Sequence, residues 1–542
     1  MSQNNTKASE TTPNASIQKP DYHSHEEFEN RTRKLKEIRD LGINPYPCHF
    51  APTHKAQDLH KKYESTETGH SDEAMAGQTE HVLIAGRLVL FRSMGKNAFA
   101  HIQDDDERIQ IMFNRDTTTF AGYTPTADAN GETQNPMKFI EKKIDLGDII
   151  GIEGHIFRTN KNELTIFAKN VTLLCKTLLP LAEKHAGLAD KELRYRKRWL
   201  DLIVNPDVQK TFRMRSQILR LIREFFDSYD YIEVETPVLQ SVYGGAEAKP
   251  FVTTLNALDQ EMFMRISLEP SLKKLIVGGM NRIYEIGRVF RNEGIDRSHN
   301  PEFTLLEAYA AYWDYNDMMR LVENLFDMLA KTLHGTTKIA VKVSETESVE
   351  VDFKAPWMRL SMKDALTKYA QLDVDKLSDD EMRKLLVDSG HCDTKKLSGM
   401  ARGLLTAALF AVKVEHHLVQ PHHIIDHPIE TTPLCKPHRN PKEAAEGLVE
   451  RFESFVLGQE ICNAYTELND PELQRTLLEC QAKRRDAGDE EASPLDEEFI
   501  EAICQGMPPT GGVGIGIDRL VMMLTGAHSI RDVLYFPWMK TI

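Results

Sequence analysis

The sequence of 542 residues has few features of disulfide-rich, zinc-binding or membrane-spanning proteins. Its seven cysteines include no Cys-x-x-Cys pair, which argues against a disulfide framework and against a zinc ribbon. We therefore expect a reducing compartment. The polar segment Met1–Pro20 lacks the apolar core of a secretory signal. No run is apolar and long enough to predict a membrane-spanning helix, so the expected location is the cytoplasm.

Cationic residues are also in deficit. Lys and Arg total 67 against 82 Asp and Glu, which gives a net charge of −15. This balance argues against a general polyanion binder, because phosphate contacts need Lys and Arg, but it leaves room for one local nucleic-acid site. Gly511–Arg519 is glycine-rich without the Gly-Lys-Ser/Thr of a P-loop. Close packing explains such a run as well as a phosphate site does, although Arg519 could reach a bound anion.

The apolar content of 41% is sufficient for the cores of two or three domains. We predict a disordered tail at 1–22 and a helical lead-in at 23–75, with a helix over Glu26–Leu41. Residues 76–178 hold five short candidate strands, which predict a small OB-like barrel. Those strands are His81–Phe91, Asn97–Gln103, Glu107–Phe113, Asp148–Phe157 and Glu163–Leu173. Thr117–Pro136, rich in Thr, Gly, Asn and Pro, is interpreted as a long loop within the barrel.

The remainder, 179–542, mixes strands and helices without a regular βαβ repeat. Val208–Ser228 carries an amphipathic stripe of helical period. It runs into Tyr231–Pro237, which is predicted to be a strand ending in proline. Residues 374–418 are charged and helical in pattern, which indicates an inserted helical subdomain. The histidine pairs His416-His417 and His422-His423 lack the His-Glu-x-x-His spacing of a metal site, and we interpret them as structural.

The most informative segment is Arg282–Tyr315, which reads as two strands and a turn. With a period of two, Val289, Arg291 and Glu293 share a face in the first arm. In the second arm one face carries Phe303, Leu305, Glu307 and Tyr309. A fixed cation, carboxylates, a flat ring and a phenol on facing arms would suit a nucleotide. A solvated hairpin with an ordinary ion pair is the alternative.

Two further sets of polar residues could carry chemistry. Glu453 and Glu460 lie seven residues apart, and paired carboxylates near phosphates typically hold Mg²⁺; surface glutamates are the alternative. In the barrel, Phe99 lies on the face opposite Ala98, Ala100 and Ile102. It could be a stacking platform for an unpaired base, or simply a surface aromatic residue.

Taken in order, these pieces resemble motifs 1, 2 and 3 of class II aminoacyl-tRNA synthetases: a helix and strand ending at Pro237, a Phe-Arg-Asn-Glu hairpin, and Gly-x-Gly-x-Gly-x-Asp-Arg. A preceding OB-like barrel is similar to the aspartyl, asparaginyl and lysyl subgroup. Five strings of the sequence resemble the lysyl members in particular. They are residues 244–251, 291–296, 299–304, 463–470 and 514–519. The class I strings His-Ile-Gly-His and Lys-Met-Ser-Lys-Ser are not found in the sequence.

The resemblance implies an α+β fold, in which an N-terminal OB-fold β-barrel precedes a class II catalytic domain with an antiparallel sheet flanked by helices. It also implies a homodimer, with ATP, L-lysine, tRNA(Lys) and Mg²⁺ as partners and no membrane. The implied catalytic residues are Arg291 and Arg519. The implied ATP ligands are Arg291, Glu293, His299, Phe303, Glu453 and Arg519. The implied lysine ligands are Gly245, Glu269, Arg291, Glu307, Tyr309, Asn463 and Glu467. The anticodon is expected at Arg87, Phe99, Gln110 and Glu163, and the metal at Glu453 and Glu460.

The charge of the expected pocket favours lysine over its relatives, because a partly buried ammonium requires carboxylate partners. The expected reaction is formation of a lysyl-adenylate with release of pyrophosphate, followed by transfer to tRNA with release of AMP. Two rivals are a non-catalytic nucleic-acid-binding protein and a relative that lysylates a protein. The chain departs from the pattern at Pro270-Ser271, where the family commonly has Leu-Tyr, which weakens the role implied for Glu269.

Overall fold

The computed structural model describes residues 21–105, 107–125, 134–181, 190–344, 346–390 and 397–540. The chain divides into two compact units, Met1–Asp190 and Lys191–Ile542. The predicted tail at 1–22 falls almost wholly outside the described residues. In the described part of the chain, no helix is apolar over enough length to cross a membrane.

The first unit is a small closed barrel. Its strands are β1 His81–Met94, β2 Asn97–Gln103, β3 Arg108–Asn114, β4 Thr119–Phe120, β5 Ile149–Arg158 and β6 Leu164–Cys175. They pair in the order β3-β2-β1-β5-β6-β4, and an additional β3–β6 pairing closes the sheet. Alternate residues turn inward, so that Ala98, Ala100 and Ile102 of β2 are fully buried. The five predicted strands are present to within a few residues.

The described part of the first unit also contains α-helices. They are α1 Glu26–Asp40, α2 Ala56–Lys62, α3 Ser71–Met75 and α4 Pro136–Lys143. The interpretation of Thr117–Pro136 as loop alone is wrong at its start, because β4 pairs in parallel with Asn170 and Val171 of β6. The cause is Thr118, whose buried hydroxyl donates to the carbonyl of Ala168 and ties this segment to the barrel. Residues 126–133 of the predicted loop lie outside the described residues.

The second unit is built on an eight-stranded sheet in the order β15-β16-β17-β18-β19-β12-β11-β7. It is antiparallel except at its edges, where β15 pairs with β16 and β7 with β11 in parallel. Its strands are β7 Ile232–Glu233, β11 Arg282–Phe290, β12 Glu302–Ala311, β15 Met358–Ser361, β16 His422–Pro428, β17 Leu448–Val456, β18 Gln459–Thr466 and β19 Thr510–Gly516. A smaller sheet joins β8 Leu239–Gln240, β9 Val252–Leu255 and β10 Gln260–Met264, and β13 Lys338–Lys342 pairs with β14 Ser348–Asp352.

Helices cover this sheet, and their ends follow local sequence signals. Asp314 caps α9 through its carboxylate, which accepts from the backbone N–H groups of Asn316 and Asp317, and Gly335 ends the helix with a positive φ of 71°. The described helices of the unit, besides short 3₁₀ turns, are α5 Lys191–Arg196, α6 Arg198–Val204, α7 Pro206–Ser228, α8 Glu269–Val277, α9 Tyr315–His334, α10 Met362–Ala370, α11 Asp379–Asp388, α12 Arg402–Lys413, α13 Pro441–Ala445, α14 Pro471–Asp486, α15 Glu497–Cys504, α16 Ile517–Thr525 and α17 Ile530–Val533.

The amphipathic stripe of α7 lies in the core of its own chain. Ile218, Leu221, Ile222 and Phe225 are buried there with residues of α9 and β12. The inserted segment 374–418 has a separate apolar cluster, formed by α10, α11 and α12 with Leu397, Val414 and Leu418. Its residues 391–396 lie outside the described ranges.

Two expectations about strands are wrong in detail. Arg291 and Glu293 do not continue the face of Val289, because β11 ends at Phe290 opposite Glu302. The connection then turns where the carboxylate of Asp296 accepts from the backbone of Ser298 and His299. The strand predicted at 231–237 spans only Ile232–Glu233, because further along the N–H of Thr236 bonds to the Glu285 carboxylate instead of to a strand.

Candidate active site and nucleic-acid interface

A cavity of about 440 Å³ opens on the face of the large sheet. Its floor is formed by β12, β18 and β19, which are neighbours in the sheet, and its walls come from the segment 291–300, the start of α8 and the loop after β8. The cavity brings together every residue predicted to bind ATP, lysine or metal. They are Gly245, Glu269, Arg291, Glu293, His299, Phe303, Glu307, Tyr309, Glu453, Glu460, Asn463, Glu467 and Arg519.

One end of the cavity is cationic and aromatic. The Arg291 guanidinium lies 5.2 Å from the centre of the Phe303 ring, and its Nε donates to the carbonyl of Ile266 at 3.2 Å. Arg519, at the start of α16, donates to the carbonyl of Glu460 at 2.6 Å and lies 3.1 Å from Nε2 of His299. Two arginines beside a flat ring can bind the phosphates and the base of one nucleotide. Glu293 lines the same end and is exposed.

Two carboxylates lie on adjacent strands beside these arginines. Glu453 of β17 pairs in register with Asn463 of β18, and Glu460 is the second residue of β18. Arg451 bridges the set, since its Nε donates to Asn463 at 3.0 Å and its Nη2 to Glu453 at 2.5 Å. Partial burial and the neighbouring Glu453 carboxylate raise the pKa of Glu460. Two neighbouring carboxylates whose charges repel each other are suited to binding a shared divalent cation.

The opposite end of the cavity is acidic and enclosed. Glu307 is buried, and its carboxylate accepts from the hydroxyl of Ser267 at 2.7 Å, from the N–H of Leu268 at 3.0 Å and from the hydroxyl of Tyr309 at 2.9 Å. Burial, with the nearby Glu269 carboxylate, raises the pKa of Glu307 to about 7. A carboxylate positioned in this way can pair with a cationic group of a ligand.

Glu269 and Glu467 complete the acidic end. Glu269 is the first residue of α8 and accepts from the hydroxyl of Tyr465 at 2.5 Å. Glu467 follows β18 and is 1% exposed. Lys273, one turn along α8 from Glu269, forms ion pairs with both carboxylates. Pro270 is accommodated in the first turn of α8, where the missing N–H costs no helix hydrogen bond.

The glycine-rich run agrees with the close-packing interpretation of the sequence. Gly511–Gly516 lies in strand β19 and not in a phosphate loop. A Cβ at Gly512 would overlap the Glu467 carboxylate and come within 2.6 Å of the Tyr309 ring. Gly245, at a φ of 87°, approaches Ser267 and Pro270 in the same way. These glycines keep open the acidic end of the cavity.

In the first unit, three of the four residues predicted to bind RNA, Arg87, Phe99 and Gln110, lie on the barrel strands, and Glu163 immediately precedes β6. His101, opposite Gln110 in register, contacts the Glu163 carboxylate at 2.9 Å, and Gln110 accepts from Thr165. Phe99 is half-buried, on the same face of β2 as His101. Arg87 faces the start of β5 and donates to the carbonyl of Gly147 at 2.8 Å. The structure thus brings Gln110 and Glu163 together around His101, while Arg87 has a separate backbone partner.

Sequence reasoning missed several residues at the site. Lys273, Arg451 and Tyr465 contact predicted ligands, and Glu415 lies near enough to Glu453 and Glu460 for burial and their charges to raise its pKa to about 7. The spacing Glu269-x-x-x-Lys273 could have indicated Lys273, as an i,i+4 pair, and the alternation of Asn463, Tyr465 and Glu467 places Tyr465 on the face of two predicted ligands. His422 and His423 bond to Tyr369, Ser454 and the Gln420 carbonyl, which agrees with their structural interpretation.

The comparison with known proteins follows the same division of the chain. A family model for tRNA synthetases class II (D, K and N) matches residues 190–540, and a model for the OB-fold nucleic acid binding domain matches residues 82–174. An antiparallel sheet that carries the cavity, preceded by an OB-fold barrel, therefore defines the chain as a class II tRNA synthetase of the D, K and N group.

Relatives similar over nearly the whole chain show which member of the D, K and N group it resembles. The chain is 55% identical to the lysine–tRNA ligase of Chlamydia caviae over 524 residues, which cover 96% of this chain and 98% of that one. It is 45% identical to the lysine–tRNA ligase of Thermoanaerobacter pseudethanolicus over 512 residues, with 94% and 95% covered. For that of Oceanobacillus iheyensis the identity is 44% over 518 residues, with 95% and 99% covered. The chain belongs to the lysine–tRNA ligase family.

Proposed function

We propose that this chain joins L-lysine to tRNA(Lys) in two steps, through a lysyl-adenylate, with release of pyrophosphate and then of AMP. The observation that carries the proposal is the polarity of the cavity. Arg291 and Arg519 lie at one end, and Glu269, Glu307 and Glu467 lie at the other, each at most 4% exposed. A ligand with a carboxylate at one end and ammonium groups elsewhere matches this polarity, and an enclosed carboxylate disfavours neutral analogues.

At the cationic end, Arg291 holds the substrate carboxylate and the ATP α-phosphate, and Phe303 stacks on adenine with Arg519 on its other face. Glu293 faces the adenine side, and His299 faces the outer phosphates. The contact between Arg291 and Phe303, and that between Arg519 and His299, support this arrangement. The substrate carboxylate is ionised at neutral pH, so its attack on the α-phosphorus needs alignment and charge neutralisation more than a general base.

At the acidic end, Gly245 and Glu269 receive the α-amine, and Asn463 lies near the carboxylate. Glu307, Tyr309 and Glu467 receive the ε-amine. The hydrogen bonds that fix Glu307 through Ser267, Leu268 and Tyr309 support a pre-organised ammonium site, because they hold the carboxylate before the ligand arrives. Arginine is disfavoured by the length of the pocket and by the planar shape of its guanidinium.

We propose Glu453 and Glu460 as the residues that hold Mg²⁺ with ATP. Their donor set fits, since both present carboxylate oxygens and the neighbouring charge raises the pKa of Glu460. Among the described residues, no group of three His, Cys, Asp or Glu side chains could hold a metal ion, so phosphate oxygens would complete the ligand set. When bound, the ion neutralises phosphate charge.

We propose that the barrel reads the anticodon through Arg87, Phe99, Gln110 and Glu163. A half-buried ring next to hydrogen-bonding side chains suits a splayed base, which is stacked on one side and read along its edge. The predicted outcome is loss of tRNA charging, with adenylate formation retained, when this face is altered.

We also propose that the chain acts as a cytoplasmic homodimer. Apolar side chains are exposed on the short strands of the second unit, at Ile232, Leu239 and Val252, which are 56%, 43% and 58% exposed. Such exposure is typical of surfaces that pair with another chain. Light scattering after size exclusion measures the oligomeric state directly, and a monomer at micromolar concentration would contradict this part of the proposal.

The experiment that tests the proposed reaction is ATP–pyrophosphate exchange across the twenty amino acids, followed by charging of tRNA(Lys). We expect exchange with lysine that exceeds exchange with arginine and with neutral amino acids by at least about a hundredfold, the scale of a lost charged partner. Exchange that is equal for several amino acids, or absent with lysine, would contradict the proposal. Lysine-dependent exchange without tRNA charging would favour a different acceptor for the lysyl group.

A further inference from the structure

One fully buried cation lies directly behind the acidic end of the cavity. Lys273 is 0% exposed and does not line the cavity, although Glu269 and Glu467, its two partners, do. Its Nζ lies 2.5 Å from Oε1 of Glu269 and forms a second ion pair with Glu467. The ammonium thus links Glu269, at the start of α8 in the wall of the pocket, to Glu467, which follows β18 in its floor.

The surroundings of Lys273 are aromatic and acidic. The rings of Tyr465 and Phe499 lie 5.5 Å and 5.9 Å from its Nζ. The titratable groups that face the cluster are Glu269 from α8, Glu307 and Tyr309 from β12, Tyr465 and Glu467 from β18 and its end, and Cys435 opposite Glu467. Burial by itself lowers the pKa of Lys273, but Glu269 and Glu467 reverse this and raise it, so the ammonium stays charged.

The ion pairs of Lys273 also affect the pKa values of the carboxylates. Burial raises the pKa of Glu467, with Glu269 and Glu307 adding to the effect, and Lys273 is the group that opposes it. Three enclosed carboxylates without a cation would hold protons, because like charges at short range in a desolvated site disfavour ionisation. A pocket that holds protons would have to release them before it could pair with ammonium groups.

The charges can be counted. Glu269, Glu307 and Glu467 contribute three negative charges when ionised, and Lys273 contributes one positive charge, which leaves two. Free lysine has two ammonium groups, while its carboxylate belongs to the arginine end of the cavity. The pocket with Lys273 therefore matches the two cationic groups of lysine, and neither a buried charge nor a proton is left over.

We propose that Lys273 is a positioning residue that sets the charge of the lysine pocket: from behind the wall it fixes Glu269 and Glu467 and reduces three carboxylates to the two net charges that the substrate neutralises. The inference rests on the proposed function, because it takes lysine as the ligand. It also assigns a role in specificity to a side chain that the ligand never touches.

The first test is calorimetric titration of L-lysine into the ligand-free Lys273→Met variant at several pH values. Without the internal ammonium, lysine has to displace protons, so its Kd rises at least about tenfold over wild type at pH 7. The ratio of the two Kd values shrinks to about threefold or less by pH 9, where the protons leave unaided. The matched control is Lys274→Met, since this neighbour on α8 pairs with Glu498 outside the pocket; its Kd remains at the wild-type value.

The second test uses the Glu467→Gln background and does not depend on the single variant folding. Glu467→Gln with Lys273 present leaves one net negative charge, and Glu467→Gln/Lys273→Met restores two. The double variant therefore binds lysine more tightly than Glu467→Gln, by about threefold or more. In the double variant Lys273 and one of its two carboxylate partners are removed together, and the Glu269 carboxylate keeps the hydrogen bond from the Tyr465 hydroxyl.

The outcomes separate the two proposals. The proposal for Lys273 predicts opposite effects in the two backgrounds. Loss of Lys273 that weakens lysine binding in the wild-type background and strengthens it in Glu467→Gln supports its role in setting the net charge of the pocket. Weaker binding in the double variant than in Glu467→Gln overturns it, and so does a Kd ratio for Lys273→Met that stays constant from pH 7 to pH 9; both belong to a residue that only packs. Failure of the wild-type chain itself to bind lysine would overturn the proposed function, and this inference with it.

Discussion

The raised pKa of Glu307 predicts how lysine binding varies with pH. Burial, followed by the Glu269 charge, moves the pKa of this carboxyl from 4.5 to about 7. At 1.36 kcal/mol for each pH unit, ionising Glu307 in the empty pocket costs about 3 kcal/mol more than in water. Below pH 7 the carboxyl holds a proton that it must lose before it can pair with an ammonium group. The Kd for lysine therefore rises about tenfold for each pH unit below 7 and levels off between pH 7.5 and pH 8.5.

Glu307→Gln isolates this contribution. The amide cannot ionise, so the dependence between pH 6 and pH 7 disappears. The affinity also falls by about 2–5 kcal/mol, or roughly 30- to 5,000-fold, because a buried ammonium loses its charged partner. Glu302→Gln on the same strand is the matched control, since Glu302 pairs with Arg288 outside the cavity. Calorimetry of lysine binding at pH 6, 7 and 8 measures all three proteins.

The stability of the ligand-free protein changes with pH in the direction opposite to its affinity for lysine. A carboxyl whose folded-state pKa is raised binds more protons folded than unfolded between pH 4.5 and pH 7, so its contribution to stability is present below 4.5 and lost as the pH rises through 7. Glu307→Gln therefore reduces the fall in unfolding temperature over this window. A wild-type Kd that is flat between pH 6 and pH 7.5, or a Glu307→Gln variant that binds lysine as tightly as wild type, would refute this account of Glu307.

Three further perturbations test other parts of the site. Arg291→Ala is expected to reduce lysine-dependent pyrophosphate exchange by at least about a thousandfold while the chain stays folded, and near-normal exchange would contradict the role proposed for Arg291. Phe99→Ala is expected to weaken tRNA charging by about 1–3 kcal/mol while exchange is unchanged, so an equal fall in both steps would contradict anticodon reading. Gly512→Ala places a methyl group against the Glu467 carboxylate, so lysine affinity should fall by at least about tenfold with little change in ATP affinity. Equal losses for the two ligands would indicate a general packing defect.

Much of the architecture could be predicted because it depends on local periodicity. The alternation of β2, with Ala98, Ala100 and Ile102 inward, is visible in the sequence and recurs in the barrel. The caps of α9 at Asp314 and Gly335 follow from the residue types. The end of β11 was missed, because the turn at Asp296 depends on side-chain to backbone hydrogen bonds and not on hydrophobic period.

The sequence alone determined which chemical groups are available. They are Arg291, Arg519 and the Phe303 ring, the carboxylate pair at 453 and 460, and an acidic set suited to an ammonium group. It determined them through residue types at fixed spacing, which carry family resemblance. Only the tertiary structure decided how these groups act on one another. Lys273 and Glu467 are 194 positions apart, yet they form a buried ion pair. Gly512 is needed because the side chains of Tyr309 and Glu467, from other segments of the chain, pack against it. Burial and the strength of charges depend on contacts between distant segments, and no local pattern encodes them.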